Sequence, residues 1–190
     1  MAIQLNINRK LFNEAYYPYL FDYSHRYNVF YGGAGSGKSH FVFSKVVIKA
    51  LLHKRKVLVV RKTAKSNLNS TFQMTIDTLS SLHLLEYCSI NKTTLTITLP
   101  NGSVFLFYGC DDVEKLKSIA GITDIICEEA TELTLDDVTQ LDLRLRPKQA
   151  NPQMFFMLNP VSKANWTYKR WFAENVIIND DTFILKKIFS

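Results

Sequence analysis

Residues 32–39 read Gly32-Gly33-Ala34-Gly35-Ser36-Gly37-Lys38-Ser39. They fit the pattern G-x-x-x-x-G-K-[ST], with Gly32, Gly37, Lys38 and Ser39 at its four fixed places. The residue types follow from phosphate chemistry. Glycines let consecutive backbone N–H groups curl around phosphate oxygens, a lysine bridges the outer phosphates, and a hydroxyl beside it holds Mg²⁺. The flanks agree. Tyr27, Asn28, Val29, Phe30 and Tyr31 are aromatic or β-branched enough for a short buried strand. After the loop, Phe41, Val42, Val46, Val47, Ala50 and Leu51 recur at helical spacing, so the loop joins a strand to a helix N-terminus whose dipole favours phosphate. The stretch reads as a nucleoside-triphosphate site.

Working outward, Val57 to Val60 form a second strand after the basic run His53 to Lys56. Strand, helix, strand in this spacing predicts a βαβ unit and a parallel sheet. Residues 71–85 predict an amphipathic helix. Between Lys92 and Tyr108, Leu95, Ile97 and Leu99 alternate with threonines, and Asn101-Gly102 precede Val104 to Tyr108. This is a β-hairpin pattern, read as an antiparallel addition to the parallel core. Thr182 to Lys187 are strand-like. No internal repeat or low-complexity linker divides the chain, so residues 1–190 read as one domain: a P-loop NTPase-type α/β three-layer sandwich with a mainly parallel central sheet.

At 190 residues, 47% hydrophobic and 13% aromatic, the chain has ample material for a core. A net charge of +6 permits nucleic-acid contact without establishing it. Cys88, Cys110 and Cys127 are odd in number and lack C-x-x-C or Cys/His spacing, which argues against a disulfide framework or zinc site and for a reducing cytoplasm. The N-terminal residues 1–10 contain no apolar signal core, and no apolar run approaches ~18 residues, so secretion and membrane spanning are disfavoured.

Asp124, Ile125, Ile126, Cys127, Glu128 and Glu129 form an apolar strand ending in two carboxylates. Hydrolysis of a bound triphosphate needs two acids there, one near Mg²⁺ and one directing water in line with the γ-phosphate. Glu128 is assigned to the metal and Glu129 to the water. A further strand, Met154 to Leu158, ends in Asn159 and Pro160. Asn159 either hydrogen-bonds phosphate or attacking water, or simply opens a turn before proline. In residues 1–26, Phe12, Tyr16, Tyr17, Tyr19 and Phe21 either wrap an adenine ring or pack on the sheet.

Together, the Gly32–Ser39 loop, Arg61-Lys62-Thr63, Lys115 to Gly121, Ile126 to Leu133, Leu141 to Pro147 and Met157 to Pro160 resemble the ATPase domain of the large terminase subunit of tailed bacteriophages. The resemblance spans nearly the whole chain. It implies an ATP- and Mg²⁺-dependent motor that moves double-stranded DNA through a portal protein into a procapsid, with a small terminase subunit as a further partner. The setting is the host cytoplasm at the portal vertex, with a homo-oligomeric ring when assembled and a monomer in isolation as an open alternative. Gly33 to Ser39 would cradle ATP, Glu128 and Glu129 would take the metal and base roles, and Leu158, Asn159 and Pro160 would match the coupling motif. Some members carry an arginine within the loop, where this chain has Ala34 and Ser36; charge compensation then comes from elsewhere. The position matching a trans-acting basic residue best is Lys117, with Arg144 and Arg146 as rivals. The family usually continues into a nuclease domain; this chain stops at Ser190, so no nuclease activity is expected of it. A helicase- or recombinase-like ATPase, a nucleotide kinase, and an ATP-binding docking module with little hydrolysis remain alternatives. DNA-facing candidates are Lys54, Arg55, Lys56, Lys62 and Lys65.

Overall fold

The computed structural model describes residues 7–111, 113–145, 151–159, 162–172 and 183–185. Among these residues, eight strands make one sheet: β1 Tyr27–Tyr31, β2 Lys56–Arg61, β3 Ser89–Asn91, β4 Thr96–Thr98, β5 Val104–Gly109, β6 Asp124–Cys127, β7 Gln153–Leu158 and β8 Phe183–Leu185. Their order is β3-β4-β5-β2-β6-β7-β1-β8. The five central strands are parallel, while β3 and β4 at one edge and β8 at the other run antiparallel to their neighbours. The helices are α1 Lys38–Leu52, α2 Ala64–Asn67, α3 Gln73–Ser81, α4 Val113–Ser118, α5 Leu135–Asp142 and α6 Trp166–Trp171.

The central strands are apolar on both faces because each face meets a separate core. In β2, Val57 and Val59 pack with α1 and α3, while Leu58 and Val60 pack with α4, α5 and α6. In β7, Phe155 and Met157 join the first core, and Met154, Phe156 and Leu158 join the second. This is the expected three-layer sandwich with a mainly parallel sheet.

The structure redraws the predicted hairpin. β4 and β5 do pair antiparallel around Asn101-Gly102, with Gly102 at φ 80°. β5, however, also pairs in parallel with β2 along its whole length, from Lys56↔Val104 to Arg61↔Gly109. It belongs to the core, and the antiparallel addition is β3 with β4. The alternation of Leu95 to Leu99 was readable, but the partner on the far side of β5 was not. Helix α3 is also shorter than residues 71–85, since a π-helical turn at Leu68–Phe72 precedes it.

Helix α1 is buried at every position from Phe41 to Ala50, lysines included, because α3 packs beside it and Phe12, Tyr16, Leu20 and Asp22 of the preceding segment contact it. Tyr16 stacks on Phe41 with ring centroids 4.6 Å apart. Lys45 sends its ammonium to the carbonyls of Tyr19, Leu20 and Asp22, the last at 2.7 Å. Lys49 reaches Asp124 at 2.6 Å, Gln153 at 2.8 Å and the Asn151 carbonyl at 2.9 Å, pinning α1 to the amino ends of β6 and β7. Burial lowers both lysines, Lys45 to about 7 and Lys49 to about 8. Among the described residues, no helix is long and apolar enough to cross a membrane.

Candidate functional site

The carboxyl ends of β1, β7, β6 and β2 lie side by side, as the registers Tyr31↔Leu158, Cys127↔Phe156 and Val60↔Cys127 require. This places the Gly32–Ser39 loop, Asn159, Glu128 with Glu129, and Arg61 in a row. The loop follows β1 and enters α1 through Gly37, whose φ of 78° is left-handed and open to glycine without Cβ strain. Gly35 has the same φ. The Gly32 N–H bonds the Leu158 carbonyl at 3.2 Å, which fixes the loop to β7. Ser36 Oγ is buried without a hydrogen-bond partner, a polar atom suited to a ligand oxygen.

Lys38 is nearly buried, and its ammonium donates to the Gly32 carbonyl (3.0 Å), the Gly33 carbonyl (3.1 Å) and Asn159 Oδ1 (2.8 Å). Burial pushes it below its ordinary pKa, and the Glu128 charge opposes that shift. Sequence left Asn159 divided between a sensing role and a turn before Pro160. The structure puts its side chain on the loop lysine. Pro160 and Arg146 lie outside the described residues.

Glu128 and Glu129 follow β6 directly. Glu128 is anchored by its N–H to the Val60 carbonyl at 3.1 Å. Burial raises its carboxyl pKa; Arg61 pulls it back, Glu132 adds to the rise, and Lys38 lowers it again. Its Oε2 is buried without an aligned hydrogen bond, although Arg61 Nε stands 3.1 Å away. Glu129 adopts φ 50°, ψ 47°, a left-handed conformation uncommon for a side chain this large. Its Oε2 contacts Arg61 Nη2.

Arg61 is the member that sequence reasoning left without a role. It ends β2, bonds Ser70 Oγ at 3.1 Å, and spans both carboxylates. A basic residue closing an apolar strand was visible; that β2 lies beside β6 was not.

The donor set fits a nucleotide-bound Mg²⁺. Glu128 Oε2 is a buried carboxylate oxygen lacking an aligned donor, and Ser39 lies one residue beyond Lys38 in the first turn of α1. Among the described residues no cluster of three or more His, Cys, Asp or Glu could close a cage around a cation.

Beside Gly37 lies a cavity of about 240 Å³ lined by Phe12, Asn13, Tyr16, His40 and Phe41. The Tyr16 hydroxyl donates to the Ser36 carbonyl at 3.2 Å, tying the N-terminal segment to the loop. Phe12 and Tyr16 thus both pack in the core and line this cavity, whereas Phe21 is exposed.

Lys117 is not brought to the row. Its carbonyl accepts from Arg144 at 3.3 Å, and the next residue, Leu145, is held by Arg26 just before the amino end of β1. The two rival donors are therefore neighbours, near the opposite end of the sheet. The five DNA-facing candidates do not form one patch. Lys54, Arg55 and Lys56 stand at the amino end of β2, and Lys62 and Lys65 beyond its carboxyl end. Arg55 is buried 3.8 Å from Asp124, Lys56 bonds the Ala120 carbonyl at 2.9 Å, and Lys62 pairs with Asp137 at 2.8 Å. Lys54 and Lys65 are exposed.

A sequence model of the family described as "Phage terminase large subunit" matches residues 24–190. The PBSX phage terminase large subunit of Bacillus subtilis (strain 168) is 33% identical over 165 residues, covering 87% of this chain and 38% of the relative. The terminase large subunit of Bacillus phage SPP1 is 24% identical over 174 residues, covering 84% and 41%. The chain therefore spans about two fifths of the length of these relatives. Among solved structures, the large terminase of a thermophilic bacteriophage shares the fold with a TM-score of 0.65 at 15% identity, covering 80% of this chain and 38% of that one. That terminase has also been solved in complex with ADP and with ATP-gamma-S. A chain of the bacteriophage Phi-29 genome packaging motor assembly gives a TM-score of 0.66 at 14% identity, covering 93% and 57%.

Proposed function

Because the chain belongs to the phage terminase large-subunit family, we propose that it is the ATPase unit of a packaging motor, hydrolysing ATP to drive double-stranded DNA into a procapsid. One observation carries the reading: Lys38, Asn159, Glu128, Arg61 and Glu129 converge at the carboxyl ends of four neighbouring parallel strands.

The triphosphate lies along the Gly32–Ser39 loop, and Lys38 exchanges the Gly32 and Gly33 carbonyls for phosphate oxygens. Adenine enters the cavity between Phe12, Tyr16 and His40, where flat apolar faces meet polar edges. Ser39 and Glu128 would hold Mg²⁺, and the ion would supply charge neutralisation on the phosphates. Glu129 takes the proton of the attacking water once nucleotide loosens its contact with Arg61. Asn159 reports the γ-phosphate through Lys38. Arg61 is engaged by both acids, so compensation at the transferring phosphate falls to another subunit of a ring, through Lys117 or its neighbour Arg144. DNA contact is to backbone phosphates, and the portal protein and small terminase subunit are the further partners.

The test measures phosphate release against protein concentration, with and without duplex DNA, for the natural chain and Lys38→Ala. The expected result is a superlinear, DNA-stimulated rise that Lys38→Ala abolishes. Tight nucleotide binding with no release at any concentration would make the chain a docking module. Stimulation by single-stranded DNA alone would favour a helicase-like ATPase.

A further inference from the structure

Glu129 holds a backbone conformation that ordinary side chains avoid, so something must keep the turn after β6 in place. Within the turn, Glu132 N–H bonds the Glu129 carbonyl at 2.9 Å and Leu133 N–H bonds the Ala130 carbonyl at 3.2 Å. Two further bonds come from outside, both from the start of α6. Asn165 Nδ2 donates to the Thr131 carbonyl at 3.3 Å, and Trp166 Nε1 donates to the Leu133 carbonyl at 2.5 Å.

The two donors are themselves fixed. Asn165 Oδ1 caps α6 by accepting from the Thr167 N–H at 3.0 Å and its hydroxyl at 2.8 Å, leaving Nδ2 aimed at the turn. The Trp166 ring packs on Trp171, centroids 5.1 Å apart, and Trp171 packs on Phe156 of β7 at 4.8 Å. β7 also delivers Asn159 to Lys38. Strand β7 and the helix that follows it therefore hold the loop lysine at one place and the turn bearing Glu129 at another.

We propose that Asn165 and Trp166 are positioning residues for Glu129: they clamp the Ala130–Leu133 turn, so that the carboxylate tracks any movement of β7 and α6 that begins at Asn159. The proposal rests on Glu129 being the water-activating group. The chemistry asked of α6 is modest, two N–H donors on two carbonyls. Because the carboxylate hangs from the clamped turn, a small displacement there misplaces the reacting group.

The test compares Asn165→Ser, which keeps a capping oxygen but loses the donor to Thr131, with Trp166→Phe, which keeps an aromatic ring against Trp171 but loses the indole N–H. Each should lower kcat about tenfold or more, with nucleotide affinity within about twofold and a thermal midpoint close to that of the natural chain. In a Glu129→Gln background the same changes should cost almost nothing more, because they act through the missing carboxylate. An unchanged kcat in the variant carrying both Asn165→Ser and Trp166→Phe overturns the brace, as does a kcat loss of undiminished size in the Glu129→Gln background. Full activity of Glu129→Gln alone instead overturns the base assignment. Independently of turnover, the two tryptophans of the chain, Trp166 and Trp171, both lie in α6, so the emission of the natural chain reports on that helix. It should differ between ADP and ATP-gamma-S, and identical spectra with both nucleotides bound would contradict transmission from the phosphate to α6.

Discussion

Replacing Arg61 by alanine removes the cation that spans both site glutamates. Arg61 and Glu128 side chains are only 13% and 12% exposed. At 3.1 Å and an effective dielectric near 20, their attraction is about 5 kcal/mol. Roughly half is offset because the variant no longer buries a guanidinium. The contact with Glu129, whose side chain is 36% exposed, is screened by water and adds little. The net expectation is a loss of about 2–3 kcal/mol at neutral pH, or roughly 4–12 °C in thermal midpoint for a domain of this size.

The loss should depend on pH. Glu128 already has a raised carboxyl pKa in the folded chain, and without Arg61 it rises further. A carboxyl raised above its unfolded value of 4.5 takes up protons on folding, so its cost is greatest at high pH and fades as pH falls toward that value. Thermal unfolding of Arg61→Ala and the natural chain at pH 7.5, 6 and 5 should show the two converging on acidification. The acid limb of the ATPase profile should move to higher pH in the variant, because the metal role proposed for Glu128 requires its carboxylate form. Equal destabilisation at every pH, with an unmoved acid limb, would refute the electrostatic account and leave Arg61 as a packing residue.

Lys45 is lowered to about 7 in the folded chain, against an ordinary value of 10.5, so unfolding takes up a proton between these values. Stability should therefore rise from pH 7 toward pH 9, and Lys45→Met should flatten that rise in a pH series of thermal midpoints. Gly109 pairs with Arg61 in the sheet, and a Cβ there would stand 2.2 Å from the Ala64 nitrogen and 2.7 Å from the Thr63 carbonyl carbon. Gly109→Ala should cost about 1–3 kcal/mol or more by forcing backbone apart, and should weaken activity by displacing Arg61; a natural midpoint would show that the corner yields freely.

The Gly32–Ser39 loop was legible as a strand-to-helix connection because its glycines interrupt two apolar patterns of different period, and β1 and α1 match the predicted ranges closely. β6 and β7 were legible as short apolar runs ending in polar residues. What sequence did not carry was adjacency. Nothing local says that β7 lies between β1 and β6, yet this is what lets Asn159 touch Lys38. Nor does it say that β2 borders β6, so Arg61 passed as part of a motif without a task. Lys45, Lys49 and Arg55 look like surface charge in the chain, and only the covering segment and Asp124 explain their burial. β5 was misallocated for the same reason, since a strand shows its alternation but not both of its partners.

Glu129 acting as the base for the attacking water is the step on which the proposed ATPase function depends most. Glu129→Gln keeps size and hydrogen bonding while removing the basic oxygen, so hydrolysis and nucleotide affinity can be read separately on the same preparation. The prediction is ATP affinity within about threefold of the natural chain and hydrolysis lower by about 10²-fold or more. Undiminished hydrolysis in Glu129→Gln, with ATP still bound, would contradict it.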